Sequence, residues 1–224
     1  MPSWNIHTAH VERLLAEYDQ EELGIHDVNC FLFGNLVPDI YVGYMVAHTT
    51  RTIPYGATHL TDPTFMPLPD ADLFWDSYVV PRPGLQEATD LTLGAWAHLV
   101  ADRCYNGAVR RVIANKDLPH GDELRIRKQA DFDAFGRMLT ITSVPHETDE
   151  LLRQAQAFPQ YPLAQSDVLA ALDAAKTIVD KNREEHLAEE PDWNLLDSAF
   201  FAQTFEETHQ AIATQLQKRA QGLL

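Results

Sequence analysis

Only two cysteines, Cys30 and Cys104, occur in the 224 residues. That is too few for a disulfide framework and ordinary for free thiols in a reducing compartment. Neither has the paired spacing of a thiolate metal site. Basic residues are scarce: 17 Lys and Arg stand against 33 Asp and Glu, a formal net charge of −16. Such a surface repels a long polyanion, so no long nucleic acid is expected as a partner. No apolar run reaches the ~20 residues of a bilayer span, and MPSWNIHTAHVERLL lacks the basic-then-apolar order of a secretory signal. A cytoplasmic protein without a transmembrane segment is the expectation. Strand-like alternation, internal repeats and low-complexity tracts are missing as well, which leaves the helix as the main building element.

Helical periodicity is what remains. Residues 7–23 place Ala9, Leu14, Leu15, Tyr18 and Leu23 near one side of a helix, with Gly24 as its stop. FLFGNLVPDIYVGYMV, residues 31–46, is apolar but interrupted by Gly34 and Pro38, which predicts two short buried pieces joined at a break that carries Asp39. Six prolines between residues 54 and 83 (Pro54, Pro63, Pro67, Pro69, Pro81, Pro83) predict irregular structure, with a short helix around DADLFWDSYV. Further helices are expected from Thr89 to Val112, over 123–139 and in HETDELLRQAQAF. Two long amphipathic helices then follow, one opened by Ser166 and Asp167 as N-caps and one by Pro191.

Within GAWAHLVADR, His98 and Asp102 stand at i and i+4 and project from one helix face. That spacing suits two ligands to one cation, although an isolated pair of this kind is more often hydrogen-bonded or solvated. Asp39, between Pro38 and Ile40-Tyr41-Val42, costs several kcal/mol to bury as an uncompensated ion. A cation, hydrogen-bond donors or a capping role are the ways out. His7 in a first turn and His59 in a loop complete the candidates. Three other patterns invite function: His26-Asp27, as in HD-type phosphohydrolases; Glu206-x-x-His209, half of a di-iron motif whose second copy is absent; and FFAQTF, a possible contact surface of a non-catalytic helical scaffold.

His7 in MPSWNIH, Asp39 in FLFGNLVPDI, the Thr58-His59 pair and GAWAHLVADRCYN with His98 and Asp102 together resemble the zinc-dependent phospholipase C family, especially its short bacterial branch. That resemblance spans Trp4 to Asn106. It implies an all-α, multi-helical single domain over 1–224, with 1–112 as the metal-site half and 113–224 as supporting helices. It further implies one or two zinc ions, or another divalent metal, held by Asp39, His59, His98 and Asp102. Asp102 would bridge to a second ion held partly by His7, with His10 competing for that place. Asp39 and Asp102 would be the catalytic carboxylates around metal-activated water. His146 and Glu150, with His120, offer the only match to a third ligand set. The charge balance suits a small phosphorylated substrate, met by a locally positive pocket in an acidic protein.

Overall fold

The computed structural model describes residues 2–62, 64, 66–81 and 87–223, and among these residues there are eleven helices and no strand. The chain is all-α. Helices α1 (Trp4–Glu17) and α2 (Gln20–Leu23) replace the single helix expected over 7–23. Tyr18 breaks it with extended backbone, and Asp19 with Glu22 forms a capping box that starts a new turn. Gly24 ends α2 at φ +63°, the left-handed conformation glycine adopts without penalty.

The apolar segment forms α3 (Val28–Gly34) and α4 (Val37–Ile40), two pieces as expected. Asp39 lies inside α4 rather than in the break, and Leu36 occupies the N-cap position, so Asp39 does not cap. The proline-rich stretch holds only α5 (Tyr55–Thr58) and α6 (Ala71–Tyr78). Pro63 and Pro83 fall outside the described residues.

Thr89 caps the long α7 (Asp90–Asn115), its side chain accepting from the Thr92 amide. Four more helices follow: α8 (Asp122–Met138), α9 (Asp149–Gln156), α10 (Gln165–Glu184) and α11 (Ser198–Ala220). Two starts differ from expectation. Ala164, not Ser166, is the N-cap residue of α10, and Asp167 turns inward to accept from the Thr50 amide and hydroxyl. Likewise α11 begins after Asp197, whose carboxylate accepts from the Phe200 amide, and not at Pro191. Residues 186–197 are instead a connection. Asp131 of α8 fastens it by accepting from the amides of Asn194, Leu195 and Leu196 and from the Asn194 side chain, at 2.8–2.9 Å.

The first half of α7 is buried on all sides, from Asp90 to Asp102. Its approach to α3 is as close as backbones allow. A Cβ on Gly94 would meet the Phe31 carbonyl oxygen at 2.1 Å, and one on Gly34 would meet the Leu91 carbonyl oxygen at 2.1 Å. Only glycine permits this crossing. On the far side, Ile6, Tyr105, Phe132 and Phe201 form a second apolar cluster. FFAQTF therefore packs inward: Phe201 stacks against Phe135 and edge-on to Phe132, so the segment is core and not a contact surface. No helix among the described residues is long and apolar enough to cross a membrane.

Candidate metal centre

The five residues singled out in the sequence come from four elements and meet at one buried point. His7 sits in α1, Asp39 in α4, His59 at the C-cap of α5, and His98 with Asp102 on α7. His59 Nε2 and His98 Nε2 are 3.1 Å apart. Around them, Asp102 Oδ2 lies 3.5 Å from His59 Nε2 and 3.9 Å from His98 Nε2. Asp39 offers Oδ1 at 3.7 Å from His59 Nε2 and Oδ2 at 3.9 Å from His98 Nε2. His7 stacks on His98 with ring centroids 3.9 Å apart and points Nε2 toward Asp102 Oδ1 at 3.5 Å.

Four of the five ligand-type side chains are held from behind. The indole N–H of Trp4 donates to Asp39 Oδ2 at 3.2 Å, and the Tyr55 hydroxyl donates to Asp102 Oδ2 at 2.7 Å. The Asn35 carbonyl lies 2.9 Å from His98 Nδ1. A carbonyl only accepts, so Nδ1 carries a proton there. The Thr58 hydroxyl has its one hydrogen directed to the Tyr55 carbonyl, which leaves its oxygen to accept from His59 Nδ1 at 2.7 Å. Both imidazoles therefore turn their Nε2 atoms toward each other across 3.1 Å. Two nitrogens at that distance need a proton or a metal cation between or beside them. Orienting an imidazole through its outer nitrogen is the usual support of a metal-ligating histidine.

Charge points the same way. Burial pushes His7 down to about 4 and His59 down to about 3, so both are neutral at pH 7. Burial, helped by the Asp102 charge, pushes Asp39 up to about 6, still mostly ionised at neutrality. Burial opposes ionisation of Asp102 too, but His7, His98 and His59 around it hold its carboxyl well below the usual range. The centre thus carries two carboxylates and at least two neutral imidazoles in a dry interior, a charge deficit that one divalent ion offsets. His7 Nε2, His7 Nδ1 and Asp102 Oδ1 are buried without a hydrogen-bond partner. The donor set fits a metal: His59, His98 and Asp102 form one group of ligand atoms within 4.8 Å of one another, and His7, Asp39 and His98 form a second. Imidazole nitrogens with carboxylate oxygens suit zinc and neighbouring divalent ions.

The remaining candidates go elsewhere. His10 contacts the Tyr105 hydroxyl at 3.3 Å and stacks on Phe205, outside both donor groups. His146 is exposed and exchanges backbone hydrogen bonds with Asn29, while Glu150 pairs with Arg153 and His120 is exposed on the connection before α8. They form no third ligand set. Asp27 caps α3 through the Cys30 amide, which is the helix-capping role and not a phosphohydrolase dyad. Glu206 pairs with Arg13, and His209 meets Glu17 at 2.7 Å, a tie between α11 and α1. Sequence reasoning missed Trp4, Tyr55 and Asn35 as supports. Trp4 stands in the quoted MPSWNIH, but its reach to Asp39 across 35 positions has no local signal. No protein-family model, no curated protein and no solved structure matches this chain.

Proposed function

We propose that the chain is a metal-dependent hydrolase of phosphate esters or phosphodiesters in the manner of the zinc-dependent phospholipase C family, with zinc as its ion and the cytoplasm as its compartment. The observation that carries this reading is the pair of inward-facing Nε2 atoms of His59 and His98, 3.1 Å apart and flanked by two carboxylates. A zinc ion held there supplies hydroxide near neutral pH and offsets charge on the phosphate oxygens. The chain's own residues do the rest. Asn35 and Thr58 hold the imidazoles with Nε2 inward, and Tyr55 holds Asp102. Trp4 holds Asp39 by Oδ2, which leaves Asp39 Oδ1 to accept the proton given up by the attacking water. Asp39 and Asp102 are thus the catalytic carboxylates in this reading, and no serine or cysteine nucleophile takes part.

A purely structural ion is the competing reading, favoured by the complete burial of His7, His59 and His98, since structural sites close their coordination. Two measurements separate the cases. Protein purified without a chelating tag is expected to contain one or two equivalents of zinc by inductively coupled plasma mass spectrometry. His98→Ala and Asp102→Asn should lose at least tenfold in zinc affinity, the scale of a removed ligand or support. Metal-loaded protein should then hydrolyse small phosphodiesters or monoesters, and Asp102→Asn should not. Zinc without any phosphoester turnover would leave the structural ion as the better account. Absence of metal after reconstitution would overturn both.

A further inference from the structure

Trp4, whose indole holds Asp39, also lines a cavity of about 580 Å³ that contains none of the five ligand-type residues. That volume lies in the range of small-molecule sites, roughly 300–1,000 Å³. Its walls come from the start of α1, from Met45 in the loop after α4, and from the C-terminal parts of α8 and α10. Hydrogen bonds fix these walls to one another. Asn5 of α1 and Asn182 of α10 both donate to the Gly136 carbonyl of α8, at 3.2 and 2.9 Å, and the Leu187 amide donates to the Arg137 carbonyl at 3.0 Å. The cavity is therefore formed before a ligand arrives.

Its polar groups are uncommitted. Arg137, half-buried in the cavity wall, and Lys181 make no ion pair and no side-chain hydrogen bond among the described residues. That is unusual in a chain of net charge −16, where Arg13, Arg103, Arg125, Arg153 and Lys176 each meet a carboxylate within 3.3 Å. The Ser3 hydroxyl is a third such group. It stands at the N-cap position of α1, bonds no helix amide and is buried without a partner. Two acids, Asp133 and Glu185, line the same cavity. Both are exposed and screened by water, and Asp133 already accepts from the Gln129 side chain at 3.0 Å. Met45 and Ile178 supply apolar wall.

We propose that this cavity binds a small organic oxyanion, a carboxylate or phosphate on an apolar body, with Arg137 as its main anchor. The guanidinium is a planar fork of five donors that matches either group through two parallel hydrogen bonds. Lys181 adds a point charge from α10, and Ser3 adds a hydroxyl donor from α1. The apolar body rests on Met45 and Ile178. This site takes its charge from the chain's own cations and not from a metal ion, so it stands apart from the hydrolase reading above. Because Trp4 belongs to both, an occupant sits one side chain away from Asp39.

The test titrates full-length protein by calorimetry with benzoate and with phenyl phosphate, one arm for each oxyanion. At least one is expected to bind. R137M keeps an apolar stem without the fork and should lose about tenfold or more in affinity, the scale of hydrogen bonds to a charged group. K181M should lose severalfold, and E185Q, which removes an opposing charge, should gain. Metal content is expected to stay at the wild-type level in all three. Phenyl phosphate binding that R137M leaves unchanged would place the ligand elsewhere and overturn the proposal. So would failure of both anions to bind, or tighter binding of benzylamine than of either. Arg137 and Lys181 also stand in the last turns of α8 and α10, where a cation favours the helix end. If that were their whole role, R137M and K181M would lower the melting temperature with affinity intact, and the proposal would fall. R137K is the second variant, with the charge kept and the fork removed: it should weaken binding, and wild-type affinity in it would overturn the proposal even if R137M did not fold. Protein that takes up no metal would sink the hydrolase reading and leave these outcomes as they are.

Discussion

An imidazole sealed from water stays neutral, and His7 and His59 carry that constraint into the acid response of the metal-free protein. They are pushed down to about 4 and about 3 by burial, whereas in an unfolded chain they titrate near ~6.5. Between those values the unfolded state binds protons that the folded state refuses, so stability falls as pH drops through about 6.5 toward 4. Asp39, pushed up to about 6, acts in the opposite sense below about pH 6, because its folded carboxyl takes a proton before the unfolded one does. Two imidazoles against one carboxyl leave a net loss of about 1.4 kcal/mol per pH unit. The urea midpoint of chelator-treated protein is expected to decline steadily from pH 6.5 to 4.5. A flat profile would show that the two imidazoles are not desolvated when metal is absent.

The crossing of α3 and α7 sets the geometry one level up. Gly94 brings the two backbones together one turn before His98, and the same contact presents the Asn35 carbonyl to His98 Nδ1. Gly94→Ala should force the helices apart, cost about 3 kcal/mol and lower the melting temperature by about 8 °C, with zinc affinity falling alongside. Gly107→Ala on the same helix, where a Cβ meets nothing nearer than 3.9 Å, is expected to be neutral or stabilising by up to ~1 kcal/mol. Differential scanning calorimetry of the two variants checks both. Legibility in the sequence follows the same divide. His98 with Asp102, and Asp39 among apolar neighbours, announce themselves locally through helical spacing and desolvation cost. The split at Tyr18 is decided by a capping box, and the late start of α11 by a carboxylate 63 or more positions away. The first is a local signal that outranks apolar periodicity, and the second is a long-range contact that periodicity does not register.

At the scale of the whole molecule, the five ligand-type residues all lie within the first 112 residues, and the later helices brace them. Asp131 is one brace, giving four N–H groups of the 194–196 segment an acceptor. Asp131→Ala leaves those donors unpaired, at a cost of about 3 kcal/mol, and should open residues 186–197 to limited proteolysis while zinc content is kept. Resistance equal to the wild type would show that the segment is held by other contacts. The Arg13–Glu17–His209 tie braces α1 against α11 in the same way. Burial of the centre has a kinetic corollary. Asp39 has a side chain 12% exposed, while the other four are exposed by 2% or less, so among the five ligand-type residues Asp39, beside Trp4, lies nearest to solvent. An ion bound among side chains this deeply buried would leave only when the surrounding helices open locally, so its residence time would measure that opening and not coordination strength.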